Sequence, residues 1–241
     1  MTDMSEATDT AEAHDHTHGD VSGGWLRAAV FGAMDGLVSN TALVAGVGGG
    51  GAAPRAIVLS GVAGLIAGAI SMAMGEYTSV KTQNEQLDLE VRRERRELQR
   101  NPEGELAELA EIYRSRGLDA DLARQVATQL SRDPEQALRT HVINELGLSP
   151  DDKPSPWVAA GSSLLTFSVG AAFPLVPYLL GFSVLWAALV AGGIGLVLAG
   201  ALSSRFTPKP WWFSGLRQLL FGAAAAAITY GIGALIGVSV A

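Results

Sequence analysis

The chain has 241 residues, no cysteine and a formal net charge of −7. The lack of cysteine excludes disulfides, thiolate metal sites and thiol catalysis, and the acidic balance argues against nucleic acid as a partner. Charged residues make up only 17% of the chain. They concentrate in residues 1–20 and 81–153, which leaves the rest almost entirely apolar.

Residues 1–22 form an acidic tail whose composition predicts disorder. Its histidines, His14, His16 and His18, have a spacing that permits loose metal capture, but such a spacing also arises by chance in polar tails. We therefore keep them out of the predicted core site. No small-residue cleavage pattern follows the tail, so the first apolar run is not predicted to be a signal peptide.

Five apolar runs are long enough to cross a bilayer, which takes about 20 residues. A buried helix of a soluble protein can also be apolar, but five such runs joined mostly by short loops favour an all-α membrane protein. Two transmembrane helices are predicted in residues 23–80 and three in residues 154–241. The runs are Trp25–Val47, Ala56–Tyr77, Trp157–Pro177, Phe182–Ser203 and Leu219–Val240.

The distribution of lysine and arginine predicts the orientation of these helices. Most of these residues lie in residues 81–153, and the loop Ser204–Gln218 adds three more. Both segments are therefore predicted to be cytoplasmic. With five spans, the N-terminus is also cytoplasmic and the C-terminus lies on the opposite side of a bacterial-type plasma membrane.

The second apolar run continues into a charged helix without a break. No proline occurs from Ala56 to Arg100, so a single helix of about 45 residues, roughly 67 Å long, is predicted. Asn101-Pro102 ends it, and three shorter helices follow, over Glu103–Arg116, over Asp119–Ser131 and from Asp133 to Gly147. Residues 81–153 are thus predicted to be a helical cytoplasmic domain inserted between the second and third spans.

Carboxylates in this insertion follow helical spacing. One face of the long helix carries Glu90, Glu94 and Glu97, the next helix carries Glu105, Glu108 and Glu111, and His141 precedes Glu145 by one turn. Carboxylates with an imidazole suit Mn²⁺, Fe²⁺ or Zn²⁺, which predicts a metal-binding domain. A solvated surface of Glu–Arg pairs is the alternative.

The spans contain a few polar groups of their own. Asp35 and Asn40 lie inside the first span, and Met72 and Glu76 share a face of the second. An ionisable residue within a membrane is a functional candidate, and a thioether beside carboxylates favours a transition metal. Asp35 could instead be hydrogen-bonded between helices, and methionines often serve only in packing.

Two stretches are similar to the vacuolar iron transporter family. They are "MDGLVSNTALVAGV" at 34–47 and "SMAMGEYTSVKTQNE" at 71–85, and the likeness extends over residues 25–240. The resemblance is to a bacterial-type member without a ferritin-like domain ahead of the first span. It implies a homodimer in the lipid bilayer, with a path between the two copies of the first helix and exchange of Fe²⁺ or Mn²⁺ for protons.

The resemblance also implies roles for individual residues. Asp35 and Met72 line the path, and Glu76 lies near its cytoplasmic mouth. Asn40 is added to the path from its position in the span, one turn beyond Asp35. The metal ligands in the insertion are expected to be Glu94, Glu97, Glu105, Glu108, His141 and Glu145. His141 stands where the family can have methionine, which leaves the metal preference and the geometry of the site open. Besides Fe²⁺ and Mn²⁺, the candidate ions are Zn²⁺, Co²⁺ and Ni²⁺.

Two other classes of function remain for comparison. The chain has no G-x-S-x-G motif, and all four histidines lie in the tail or the insertion, so no nucleophile–base pair for an enzyme is predicted in the membrane. A membrane-anchored metal sensor or buffer explains the glutamates but gives Asp35 no role. A metal/proton antiporter that moves the ion out of the cytoplasm, with no bound cofactor, accounts for both features.

Overall fold

The computed structural model describes residues 24–147, 149–151 and 153–240. In the described part all regular secondary structure is helical and there is no strand, which confirms the all-α prediction. His14, His16 and His18 lie outside the described residues. The α-helices are α1 (Gly24–Gly49), α2 (Pro54–Arg100), α3 (Pro102–Ser115), α4 (Ala120–Leu130), α5 (Pro134–Leu146), α6 (Pro156–Ala172), α7 (Val176–Leu179), α8 (Leu185–Ser203) and α9 (Trp211–Val240).

Five helical stretches are long and apolar enough to cross a membrane, as the sequence predicts. They are α1, α2, α6 continued through α7, α8 with the turn that follows it, and α9. The third stretch changes to a 3₁₀ turn at Phe173–Leu175, because Pro174 and Pro177 cannot donate the backbone hydrogen bonds of a regular helix. The protein is therefore a multi-pass membrane protein.

The last helix begins earlier than the sequence predicts. It starts at Trp211 instead of Leu219, so the preceding loop is shorter than Ser204–Gln218 and Arg217 lies within α9. Ser214, Arg217 and Gln218 lower the local hydropathy, but none of them breaks a helix. The predicted boundary was wrong because hydropathy measures the apolar segment and not the helix.

Close backbone contacts hold α1 at the centre of the bundle. A Cβ atom at Gly36 would overlap the carbonyl oxygen of Phe167 in α6, and one at Gly170 would overlap that of Ala33. At the other end of α1, a Cβ on Gly233 would overlap the carbonyl of Gly46. Glycine is required at these positions because the helices approach each other backbone to backbone.

Helix α2 is continuous over 47 residues, which confirms the single long helix. Its C-terminal part, residues 81–100, packs against α5 through Leu87, Leu138 and Val142. We call residues 81–100 together with α3, α4 and α5 the inserted helices. The side chain of Asn84 donates to the carbonyl oxygen of Pro154 at 3.0 Å, and Lys153 pairs with Asp88, so the base of the inserted helices is tied to the start of α6.

Candidate metal site and membrane path

Four side chains of the inserted helices converge on one point. Glu94 comes from α2, Glu105 from α3, and His141 and Glu145 from α5. One possible ligand atom from each of the four lies within 4.8 Å of all the others. The structure thus brings together four of the six residues that the sequence proposes as metal ligands.

Local sequence places these side chains opposite one another. The chain reverses between α2 and α3 at Asn101, whose side chain accepts a hydrogen bond from the amide of Gly104 at 3.2 Å. The guanidinium group of Arg95 in α2 links this helix to α5, because it donates to both carboxylate oxygens of Glu135 at 2.5 and 3.0 Å. Because α3 and α5 both pack beside α2, carboxylates on three helices face a common space.

His141 is completely buried and lies at the centre of the group. Its Nδ1 is 3.0 Å from Glu145, 3.1 Å from Glu94 and 3.5 Å from Glu105. A ring nitrogen carries one hydrogen at most, so it cannot satisfy three carboxylates. Within the described part of the chain, the buried Oε1 of Glu94 and the buried Nε2 of His141 have no hydrogen-bond partner. A divalent cation would satisfy the oxygens that a single hydrogen cannot.

Burial and mutual repulsion raise the pKa values of two carboxylates in this cluster. Burial raises the pKa of Glu94 to about 7, and repulsion from Glu145 and Glu105 adds to the effect. Burial also raises the pKa of Glu105, and Glu108 acts in the same direction, while His141 partly opposes them. Protonation relieves the repulsion among the carboxylates. A bound divalent ion would relieve it in the same way.

The remaining predicted ligands lie at the edge of this group. Glu97 and Glu108 line a cavity of about 500 Å³ together with Glu90, Glu94 and Glu145, but they do not belong to the tight cluster of four. Their carboxylates line the cavity around the cluster without taking part in its innermost contacts.

Glu111 does not belong to this cavity, although it continues the stripe of Glu105 and Glu108. Its carboxylate accepts both donors of Arg114, at 2.6 and 2.7 Å. Glu111 is therefore part of a solvated Glu–Arg pair, which is the alternative to a metal ligand that the sequence left open.

The polar residues of the spans have separate environments. Asn40 is buried and donates to the carbonyl oxygen of Ala171 at 2.5 Å, so it ties α1 to α6. Met72 packs against Phe167 and Ala171, while Asp35 is half-buried on α1. Within the described residues, neither Asn40 nor Met72 shares a hydrogen bond with Asp35.

Glu76 has a partner that the sequence analysis missed. The guanidinium of Arg27 in α1 donates to its two oxygens at 2.7 and 3.4 Å, and the Glu76 side chain is almost fully buried. The signal was present, because each residue is an isolated charge near the same end of its span. The long sequence separation hid the pairing.

The fold and this site define a multi-pass membrane protein that carries a candidate divalent-metal site on the extension of a spanning helix. Residues 26–234 match the VIT family, and the chain belongs to that family. The resemblance seen in the two motifs is therefore confirmed.

Proteins named as iron transporters are similar over most of the chain. A "Vacuolar iron transporter" of Acanthamoeba castellanii is 38% identical over 230 residues, covering 93% of this chain and 82% of that protein. "Vacuolar iron transporter 1" of Oryza sativa subsp. japonica is 33% identical, covering 93% of this chain and 92% of that protein. "Vacuolar iron transporter homolog 1" of the same plant is 37% identical over 219 residues, covering 88% of this chain and 74% of that protein.

Proposed function

We propose that this protein transports a divalent metal ion, Fe²⁺ or Mn²⁺, out of the cytoplasm in exchange for protons. The observation that carries the proposal is the continuity of α2. One 47-residue helix bears Met72 and Glu76 in its membrane part and Glu94 in the cluster of carboxylates. Relatives named as iron transporters over nearly the whole chain support the same conclusion.

The inserted helices act as the collecting site on the cytoplasmic side. Glu97 and Glu108 draw the cation into the cavity, and Glu94, Glu105, His141 and Glu145 hold it. Three carboxylates and one imidazole suit Fe²⁺, Mn²⁺, Zn²⁺, Co²⁺ and Ni²⁺ better than Ca²⁺ or Mg²⁺, which prefer oxygen alone. An imidazole in this set favours the later metals of the series.

Asp35 is the group that couples the two ions. A carboxylate binds either a proton or a metal ion, and metal binding requires the deprotonated form. Loading the cation therefore releases a proton, and protonation from the far side expels the metal. Glu76 passes the ion from the inserted helices to Asp35. To bind the ion, the Glu76 carboxylate has to separate from Arg27.

The transporting unit is a homodimer with the path between the two copies of α1. One chain offers a single Asp35 and a single Met72, which are few ligands for a cation that has lost its water. A two-fold axis doubles both groups without further sequence. Asp35 and Ser39 of α1 are not buried within one chain, so this side of the helix is open to a second copy.

Flux into sealed liposomes tests the proposal. The intact protein is reconstituted, the lumen is made acidic, and uptake of Fe²⁺, Mn²⁺, Co²⁺, Ni²⁺ and Zn²⁺ is followed with an indicator dye. We expect uptake that rises with the pH gradient and is lost in Asp35→Asn. Ser39→Ala, a change one turn further along the same helix, is the matched control and should transport normally.

Two results would contradict the proposal. Uptake that does not change with the pH gradient would contradict proton exchange. Metal binding without any uptake would indicate that the inserted helices are the metal-binding part of a membrane-anchored sensor or buffer.

A further inference from the structure

A second cavity lies at the end of the bundle where α1 begins, α8 ends and α9 begins. Its volume is about 490 Å³. It lies apart from the carboxylate cavity, and the two have no lining residue in common. Its polar lining consists of donor-bearing side chains from four helices and the turn after α8, namely Arg27, Gln83, Ser203, Thr207, Arg217 and Gln218.

The charge of this cavity is positive. Two arginines line it and no aspartate or glutamate does. Arg27 is paired with Glu76, which does not line the cavity, and 58% of the Arg27 side chain is exposed. Arg217 is exposed, and in the described part of the chain it has no carboxylate partner. Gln83, Thr207 and Gln218 likewise form no side-chain hydrogen bond among the described residues, so their donors are available to a ligand.

The depth of the cavity matches a membrane–water interface. Trp25, Trp157 and Trp211 stand at the starts of α1, α6 and α9, and each is at least half exposed. Tryptophan is enriched where lipid headgroups meet hydrocarbon. The cavity lies close to the first two of these tryptophans, because its lining includes Gly24, directly before Trp25, and Pro154, three residues before Trp157.

Apolar side chains form the rest of the lining. They are Leu26, Val30, Val80 and the exposed Phe206, which together we call the apolar wall. A ligand with both a phosphate and hydrocarbon chains would therefore find hydrogen-bond donors and apolar surface in the same cavity. A free inorganic anion would use the donors but leave the apolar wall to water or lipid.

We propose that this cavity binds the phosphate headgroup of an anionic phospholipid, with its acyl chains against the apolar wall. The ligand comes from the leaflet that faces the inserted helices. Arginine binds phosphate with two parallel hydrogen bonds, and the unpaired charge of Arg217 repels a divalent cation. The ligand of this site is therefore an anion and not the transported metal, although Arg27 also pairs with Glu76 of the proposed path. A bound lipid fixes the starts of α1 and α9 relative to each other.

Native mass spectrometry of the intact protein in detergent tests the site. Phosphatidylglycerol and phosphatidylcholine are added separately, and the retained lipid is counted as the detergent is removed in the gas phase. We expect the wild type to retain phosphatidylglycerol selectively. Arg217→Gln should lower this retention about tenfold, the loss expected for a hydrogen bond to a charged group, and Arg217→Lys should keep part of it.

Lys209→Gln is the matched control. It removes the same charge from the turn before α9, but Lys209 does not line the cavity, so retention should change less than about twofold. Equal losses in Arg217→Gln and Lys209→Gln would show general surface attraction and overturn the proposal. Equal retention of the two lipids would also overturn it, and so would displacement of phosphatidylglycerol by millimolar inorganic phosphate. Circular dichroism melts of both variants should match the wild type, because neither side chain has a protein partner among the described residues.

Discussion

Metal binding by the inserted helices should depend on pH through Glu94. Its pKa of about 7 means that about nine-tenths of the group is ionised at pH 8 and about one-tenth at pH 6. Because the metal binds only the ionised form, Glu94 alone should weaken the apparent affinity about tenfold across this range. Glu105, whose pKa is also raised by burial, should add to this effect.

Calorimetric titration of the intact protein with Mn²⁺ at pH 6, 7 and 8 measures this dependence. The heat in buffers of different ionisation enthalpy gives the protons released, which should be about half a proton from Glu94 at pH 7. Glu94→Gln should bind more weakly at pH 8 and lose most of the pH dependence. Glu97→Gln, a change in the same cavity but outside the cluster of four, should keep it.

A pH-independent Mn²⁺ affinity in the wild type would refute the reasoning. So would an unchanged pH dependence in Glu94→Gln. Either result would mean that the proton displaced by the metal does not come from Glu94.

The same shift sets the direction in which metal-free stability changes with pH. The folded carboxyl holds its proton up to about pH 7, while the unfolded one releases it near its ordinary value of 4.5. The folded state therefore binds more protons between these values, and its stability rises as pH falls from 7 toward 4.5. The raised pKa of Glu105 acts in the same sense. Without metal, the inserted helices should melt at a higher temperature at pH 6 than at pH 8.

Three further predictions concern the spans. Gly36→Ala should destabilise the detergent-solubilised protein by about 2 kcal/mol or more, because the new methyl group overlaps backbone in α6. A Cβ atom at Gly75 has no atom within 4 Å, so Gly75→Ala should be neutral or slightly stabilising in the same thermal melts. Arg27→Gln should destabilise the protein by about 1–3 kcal/mol, because Glu76 stays buried without its cation, and adding Glu76→Gln should restore part of the loss; an unchanged melting temperature in Arg27→Gln would contradict the role of the pair. Cysteines introduced beside Asp35 should cross-link two copies in membranes, against a background without native cysteine, and transport by a monomer would contradict the dimer.

Much of the architecture could be predicted from the sequence, because its signals are local. Apolar length predicts the five spans, and the absence of proline after Ala56 predicts that the second span continues outward. Asp119 and Asp133 begin α4 and α5 by accepting hydrogen bonds from the amides of Leu122 and Gln136 at 2.9 and 2.8 Å. Each of these effects acts within a few residues.

The membership of the metal cluster was decided by tertiary packing. Helical spacing makes Glu94 and Glu97 equally good candidates, and the same holds for Glu105, Glu108 and Glu111. The choice among them depends on how α3 and α5 rotate against α2, and for α5 the packing of Leu87, Leu138 and Val142 determines this rotation. Periodicity predicts which residues share a face of a helix, but packing against the neighbouring helix determines which of them belong to the cluster.

The pairing of charges that lie far apart in sequence depends on the tertiary structure. Arg27 and Glu76 are 49 positions apart, and Arg217 meets Arg27 at one cavity only because α9 returns beside α1. Composition determines that this chain spans a membrane, since hydrocarbon accepts only apolar helices of sufficient length. Which of its few charges neutralise one another, and which remain free to bind a ligand, depends on helix packing, because Coulomb interactions follow distance in space and not separation along the chain.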